Sequence, residues 1–318
     1  MVSNIIHSNL QQILTRASLC YYYSSQKSEC LQEIISSYLH RLGPGQLPSE
    51  LSVTSYDDAT FIPCMLVPHG AYCDSGPLYA QAYYWINSFV FDTALIIGTN
   101  HCGMGSSNVS FSPDNWQTPL GVMDIDIDLF NALISVLGIQ TIDREAHRKE
   151  HSIENQLPFL KHLRSKAKFV ALSFSRLNDL NKGYQVCEQI EKAIDIYRQQ
   201  TGKRLVIIST TDYTHYGPGY GQIRAENLSE NEEYARIHDK PILQSILSND
   251  PQQLLQIQWT TQNSMCGLWP SLIIMILSKI LNNNKGHWKL LCYNVSSEVM
   301  KRGKDVCGFA SLVYSNTL

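Results

Sequence analysis

The chain lacks the features that announce several large functional classes. It has no lysine and arginine block and a formal net charge of -3, so it offers no electrostatic footprint for phosphate backbones or anionic membranes. No nucleic acid is expected among its partners. Its nine cysteines, at positions 20, 30, 64, 73, 102, 187, 266, 292 and 307, are odd in number and scattered, with no CxxC. That argues against a zinc ribbon or a disulfide framework and for a reducing compartment. The most apolar run, LIIMILSKIL at 272–281, is far short of the roughly twenty residues that cross a bilayer. It reads as a buried helix, and no membrane insertion is expected. The opening MVSNIIHSNLQQILTR has no basic start, apolar core and small-residue cleavage site, so a cytoplasmic location is expected rather than secretion. GxGxxG after the first strand, GxxxxGK[ST] and GxSxG are all missing, which removes the main support for dinucleotide, P-loop and α/β-hydrolase readings.

What is present suits a large globular domain. Hydrophobic residues at 44% and charged residues at 17% allow a sizeable core. A chain of 318 residues can fold as one α/β unit. Helical spacing appears in NLQQIL (9–14) and LQEIISSYLHRL (31–42), where Leu31, Ile34, Ile35 and Leu39 share a face. Gly43-Pro44-Gly45 breaks that pattern, and the polar stretch to Asp58 reads as a loop. The expected organisation is an N-terminal helical segment, 1–58, packed on a main domain, 59–318. Four compact β-branched runs follow, at 61–68, 93–100, 169–174 and 205–212. Between them lie helix-like segments at 77–90, 125–137, 153–163 and 183–199. The alternation predicts an α/β fold with a central, mostly parallel sheet flanked by helices.

In such sheets ligands sit beyond the carboxyl ends of the strands. Three strand ends here carry histidine: His69 in VPHGAY, His101 in GTNHCG, and Asp212 with His215 in STTDYTHYG. A single histidine there is more often a capping or hydrogen-bonding residue, but three at equivalent places point to a site. Two imidazoles with one anionic ligand and open positions suit a first-row transition metal, the usual arrangement of non-haem iron. Asp212 is one candidate for that ligand. Cys266, beside Gly267 and just before a helix, is another, where the helix dipole favours a thiolate. Its plain reading is a small buried hydrophobe. Asp212 and His215 could form an acid/base couple, or an N-cap with His215 in the first helical turn. Glu150-His151-Ser152 reads as a helix opening capped by Ser152, with His151 either facing the pocket or merely starting that helix.

PHGAY (68–72), GTNHCG (98–103), TPLG (118–121), EHSIENQLPFL (150–160), TDYTHYG (211–217) and MCGLWP (265–270), in this order, resemble the Memo family, also called AmmeMemoRadiSam system protein B. The resemblance covers roughly residues 60–315. It departs at the first motif, where the family usually has Pro-His-Ala-Gly-Tyr, and near the N-terminus, where a proline is missing. Memo proteins are similar to class III extradiol dioxygenases, which hold iron with two histidines and a glutamate, and the family has cysteine in the glutamate's place. The resemblance therefore implies His69, His101 and Cys266 as metal ligands, with Asp212, His215 and His151 as catalytic candidates. A thiolate widens metal choice from iron towards reduced copper. The implied activity is a metal-dependent oxidoreductase of dioxygenase-like type on an unknown small-molecule or peptide ligand. The competing reading is a non-enzymatic protein that sequesters metal or binds a phosphorylated or acidic peptide in the same pocket.

Overall fold

Short β-branched runs without polar alternation fit strands covered on both faces, and the four central runs fold that way. The computed structural model describes residues 13–14, 21–48, 60–221, 227–300 and 303–316. Its strands are β1 (Ile13–Leu14), β2 (Cys64–Val67), β3 (Thr93–Thr99), β4 (Val109–Phe111), β5 (Asn115–Thr118), β6 (Gly121–Met123), β7 (Lys168–Phe174), β8 (Leu205–Thr210), β9 (His215–Tyr216), β10 (His287–Val295) and β11 (Val306–Ser315). Its helices are α1 (Lys27–Leu39), α2 (Tyr72–Ile86), α3 (Ile127–Leu137), α4 (Arg144–Arg148), α5 (Leu157–Leu163), α6 (Leu180–Thr201), α7 (Leu228–Leu247), α8 (Pro251–Thr261), α9 (Leu268–Leu281) and α10 (Ser296–Val299).

The main sheet runs β10-β11-β2-β8-β3-β7-β4, with β9 on the start of β11. Its centre, β2-β8-β3-β7, is parallel, and its flanks are antiparallel. Side chains alternate between two cores along each central strand. Leu66, Ile207, Leu95 and Leu172 join the core beneath α3, α6 and α9. Met65, Ile208, Ile96 and Phe169 join the core beneath α1, α2 and α5. Fully burying each such side chain contributes about 1.5–3 kcal/mol. The expected α/β sheet with helices on both faces is therefore the observed one. Among the described residues, no helix is long and apolar enough to cross a membrane.

Several local expectations shift. The helix expected at 77–90 is α2, which begins at Tyr72 and holds Pro77 inside it; the proline is internal, not a start. The helix expected at 125–137 begins at Ile127, because the Asp126 carboxylate caps it through the N–H groups of Asp128 and Leu129. No helix opens at Glu150. A 3-10 turn at Glu154–Gln156 leads into α5, and Ser152 instead braces the end of β3, its Oγ accepting from Thr99 N at 3.0 Å and donating to Thr99 O at 3.2 Å. Of the helix expected at 9–14, residues 9–12 lie outside the described residues, as do residues 49–58 of the expected loop, and Ile13–Leu14 form β1, which gains backbone partners along β5. Tyr22 is tied to the main sheet's site edge, its carbonyl accepting from Tyr72 N at 2.8 Å, and the Tyr23 hydroxyl donates to Glu154 Oε1 at 2.8 Å.

Candidate metal centre

β2, β8 and β3 are parallel neighbours, so the residues that follow them emerge side by side. His69, Asp212 and His101 are those residues. The Asp212 carboxylate shapes the turn after β2, with Oδ1 accepting from His69 N at 2.8 Å and from Gly70 N at 3.3 Å. The buried His69 ring lies with Nδ1 3.1 Å from Thr210 Oγ1 and Nε2 3.0 Å from Cys266 Sγ. Cys266 is brought there by a close backbone approach. A Cβ on the next residue, Gly267, would stand 2.5 Å from Thr210 O, so glycine lets the start of α9 rest against the end of β8.

His101 sits at the rim, its side chain 26% exposed. Glu150, fully buried, accepts from His101 N at 2.7 Å, His151 N at 2.9 Å and Ser152 N at 2.8 Å, and lies 2.9 Å from His101 Nδ1. Burial pushes the Glu150 carboxyl up, but the His101 hydrogen bond and charge, with His151 and the Ser152 N–H, hold it well below the usual carboxylate range. Burial likewise lowers His101, and Glu150 outweighs it, leaving that imidazole raised. His151 stacks on His101 at 4.6 Å between centroids and on Tyr22 at 4.3 Å. Burial, then the neighbouring His69, lowers it to about 3, so it is neutral at ordinary pH.

His69 is held well below the usual imidazole range by burial and then His101, and is therefore in the neutral form that ligates metals. The Cys266 thiol is pushed well up, first by burial and then by Asp212. A buried anion beside a carboxylate is costly, so without a metal this cysteine is held as the thiol. Burial also raises Asp212, against the lowering pull of His215. His215 opens β9, donates from Nδ1 to Ser264 O at 3.1 Å and meets Tyr220 edge-on at 5.1 Å.

These side chains line one cleft of about 560 Å³, which all six sequence candidates share: His69, His101, Cys266, Asp212, His215 and His151. Three sets of donor atoms each lie within 4.8 Å of one another: His69, His101 and His151; His69, Asp212 and Cys266; Asp212, His215 and Cys307. His69 is common to the first two sets, so His101 and Cys266 each come within reach of it, but the two do not share a set: the expected trio is met pairwise at His69, with His151 beside His101 and Asp212 beside Cys266. Neutral imidazoles and a thiol fit a first-row transition metal. Sequence reasoning treats Glu150 as a helix opener and passes over Thr210 and Cys307. Glu150 carried one usable signal, its place directly before His151.

A family model described as Memo-like protein matches residues 17–313. The chain belongs to the Memo family. A MEMO1 family protein of Methanococcus vannielii is 34% identical over 298 residues, covering 92% of this chain and 96% of that one. Another, from Methanopyrus kandleri, is 30% identical over 295 residues, covering 92% and 95%. An uncharacterized Escherichia coli K12 protein of solved structure matches this Memo-family chain with a TM-score of 0.47 at 10% identity, over 80% of this chain and all of that one, too low a likeness to bear on the site.

Proposed function

We propose that this Memo-family chain binds one iron or copper ion through His69, His101 and Cys266 and is a metal-dependent, dioxygenase-like oxidoreductase. The observation that carries the reading is the approach of Cys266 Sγ to His69 Nε2, 3.0 Å, on a histidine whose other nitrogen is already engaged by Thr210. Glu150 does the same for His101. Each ring then keeps one nitrogen for a metal, the usual outer-shell device of such sites. A bound ion would supply open coordination positions and redox electrons. His215, anchored through Nδ1 to Ser264, keeps its other nitrogen to move a proton. Asp212 orients the turn that carries His69, and neutral His151 offers a hydrogen bond to a substrate oxygen. Cys307, a second thiol lining the cleft, favours reduced copper and keeps metal sequestration as the second reading. Capture of a phosphorylated or acidic peptide loses support, because Asp74, Asp212 and Asp305 line the cleft and no lysine or arginine does among the described residues.

Metal analysis of the purified protein by mass spectrometry, followed by oxygen uptake with catechols and thiols, tests the reading. Stoichiometric iron or copper with oxygen uptake is expected. Metal without turnover leaves sequestration, and protein that takes up neither ion removes both.

A further inference from the structure

Thr214 and Asn263 belong to different loops, and both lead to one buried carboxylate outside the cleft. Asp239, on α7, is fully buried and does not line the cleft. Its carboxylate has neutral partners: Thr214 N at 3.0 Å, Thr214 Oγ1 at 2.6 Å, Asn263 Nδ2 at 3.5 Å and the Tyr293 hydroxyl at 2.8 Å. Asn263 also donates to Thr214 Oγ1 at 2.7 Å, and its Oδ1 accepts from Met265 N at 2.8 Å, one residue before Cys266. Thr214 directly precedes His215, whose N–H reaches the Ser264 hydroxyl at 2.7 Å. Beyond this knot Cys266 N donates to Asp212 O at 3.2 Å. Glycine leaves room for the group, since a Cβ on Gly308 would collide with the Asp239 carboxylate.

A carboxylate buried without a cation is unfavourable unless hydrogen-bond donors replace its water. Here most of the donors come from the two loops that carry the site, and a satisfied polar network fixes one arrangement where apolar packing would allow several. We infer that Asp239 is a positioning residue, which sets the spacing between the Asp212–His215 loop and the Cys266 loop and thereby the geometry of the metal centre. The cobalt arm of its test rests on the metal reading above; the exchange arm does not.

The full-length protein is titrated with cobalt(II), read by thiolate-to-cobalt absorption, and amide exchange is followed by mass spectrometry. Asp239→Ala is expected to weaken cobalt binding about 10–100-fold and to raise exchange over 211–217 and 262–267 while β3 and β7 stay protected. Asp239→Asn is expected to restore near wild-type binding, because its amide oxygen still accepts from Thr214 and its nitrogen can donate to Tyr293. Tyr293→Phe, which removes the partner outside both loops, is expected to leave cobalt binding unchanged. Wild-type cobalt affinity in Asp239→Ala, or a loss in Tyr293→Phe equal to that in Asp239→Ala, overturns the inference. Should Asp239→Ala fail to fold, Asn263→Ala replaces it, cutting the link to Met265, and unchanged affinity there is equally fatal. If the wild type takes up no cobalt, the metal reading fails separately. Exchange then decides, and loops as protected in the variant as in the wild type overturn the inference.

Discussion

The carboxylate of Glu150 grips His101 twice, accepting its backbone N–H at 2.7 Å and lying 2.9 Å from its ring Nδ1. The contact joins the end of β3 to the turn before α5 and fixes which ring nitrogen stays available. Glu150→Gln keeps the size and loses the charge. Its metal affinity should fall about 10–100-fold, as read by calorimetric titration; an unchanged constant would take Glu150 out of the site.

The same pair gives the metal-free fold a pH signature. His101 is raised, with Glu150 outweighing burial, so its contribution is complete below the unfolded value of about 6.5 and fades as pH rises through the higher folded value. Glu150 is depressed, so its share is complete above about 4.3 and fades as pH falls through the lower folded value. The gap in Tm between wild type and Glu150→Gln should be widest between roughly pH 4.3 and 6.5 and narrower at high pH. A gap that stays constant as pH rises beyond that window and through the raised His101 value would mean that the pair acts by packing alone.

Metal uptake should release protons. Cys266 is pushed well above the usual thiol range by burial and then Asp212, so it is protonated before binding and must lose that proton to ligate. About one proton per ion from the thiol, with a further fraction from the raised His101, is expected when binding enthalpy is compared across buffers of different ionisation heat. Affinity should fall from about pH 8 to about pH 5, a range that spans the ordinary histidine value. A flat profile would sink the imidazole-ligand reading.

Cys266→Ser should lose metal and keep the fold. The hydroxyl is a far poorer ligand for a soft or borderline ion, while the side chains are close in size. Metal stoichiometry and Tm measured on one sample separate this from a packing role, which predicts full occupancy with a lowered Tm.

Gly98, the next-to-last residue of β3, faces the bracing residues. A Cβ there would collide with Ser152 Oγ and stand 2.6 Å from Ile153 Cγ1. Gly98→Ala should cost about 1–3 kcal/mol through overpacking, seen as a lower urea midpoint at unchanged slope. A midpoint equal to wild type would show that the 152–153 segment yields freely.

The histidine-bearing strand ends were legible because short β-branched runs, each followed by a polar residue, mark both the strand and its carboxyl end. Long-range partnerships were not. Glu150 meets His101 across 49 positions, and nothing local distinguishes a carboxylate that reaches another strand from one that complements a helix. β10 escaped notice because HWKLLCYNV mixes exposed and buried residues and carries a register shift between Leu290 and Cys292. β11 escaped because its glycine, serine and alanine dilute the β-branched signal. α7 is a largely polar helix with a proline inside it, which hides its core face and with it Asp239.

β8 lies between β2 and β3 although it follows both in the chain. Until it inserts, the two strands that carry His69 and His101 have no neighbour to join them, and Cys266 comes later still. Contacts this distant in sequence close slowly, since the entropy of the intervening loops must be overcome before any pairing is gained. The centre is thus among the last parts of the molecule to take shape during synthesis, and a truncated or half-folded chain exposes its imidazoles and thiols singly, without the convergence needed to trap an ion.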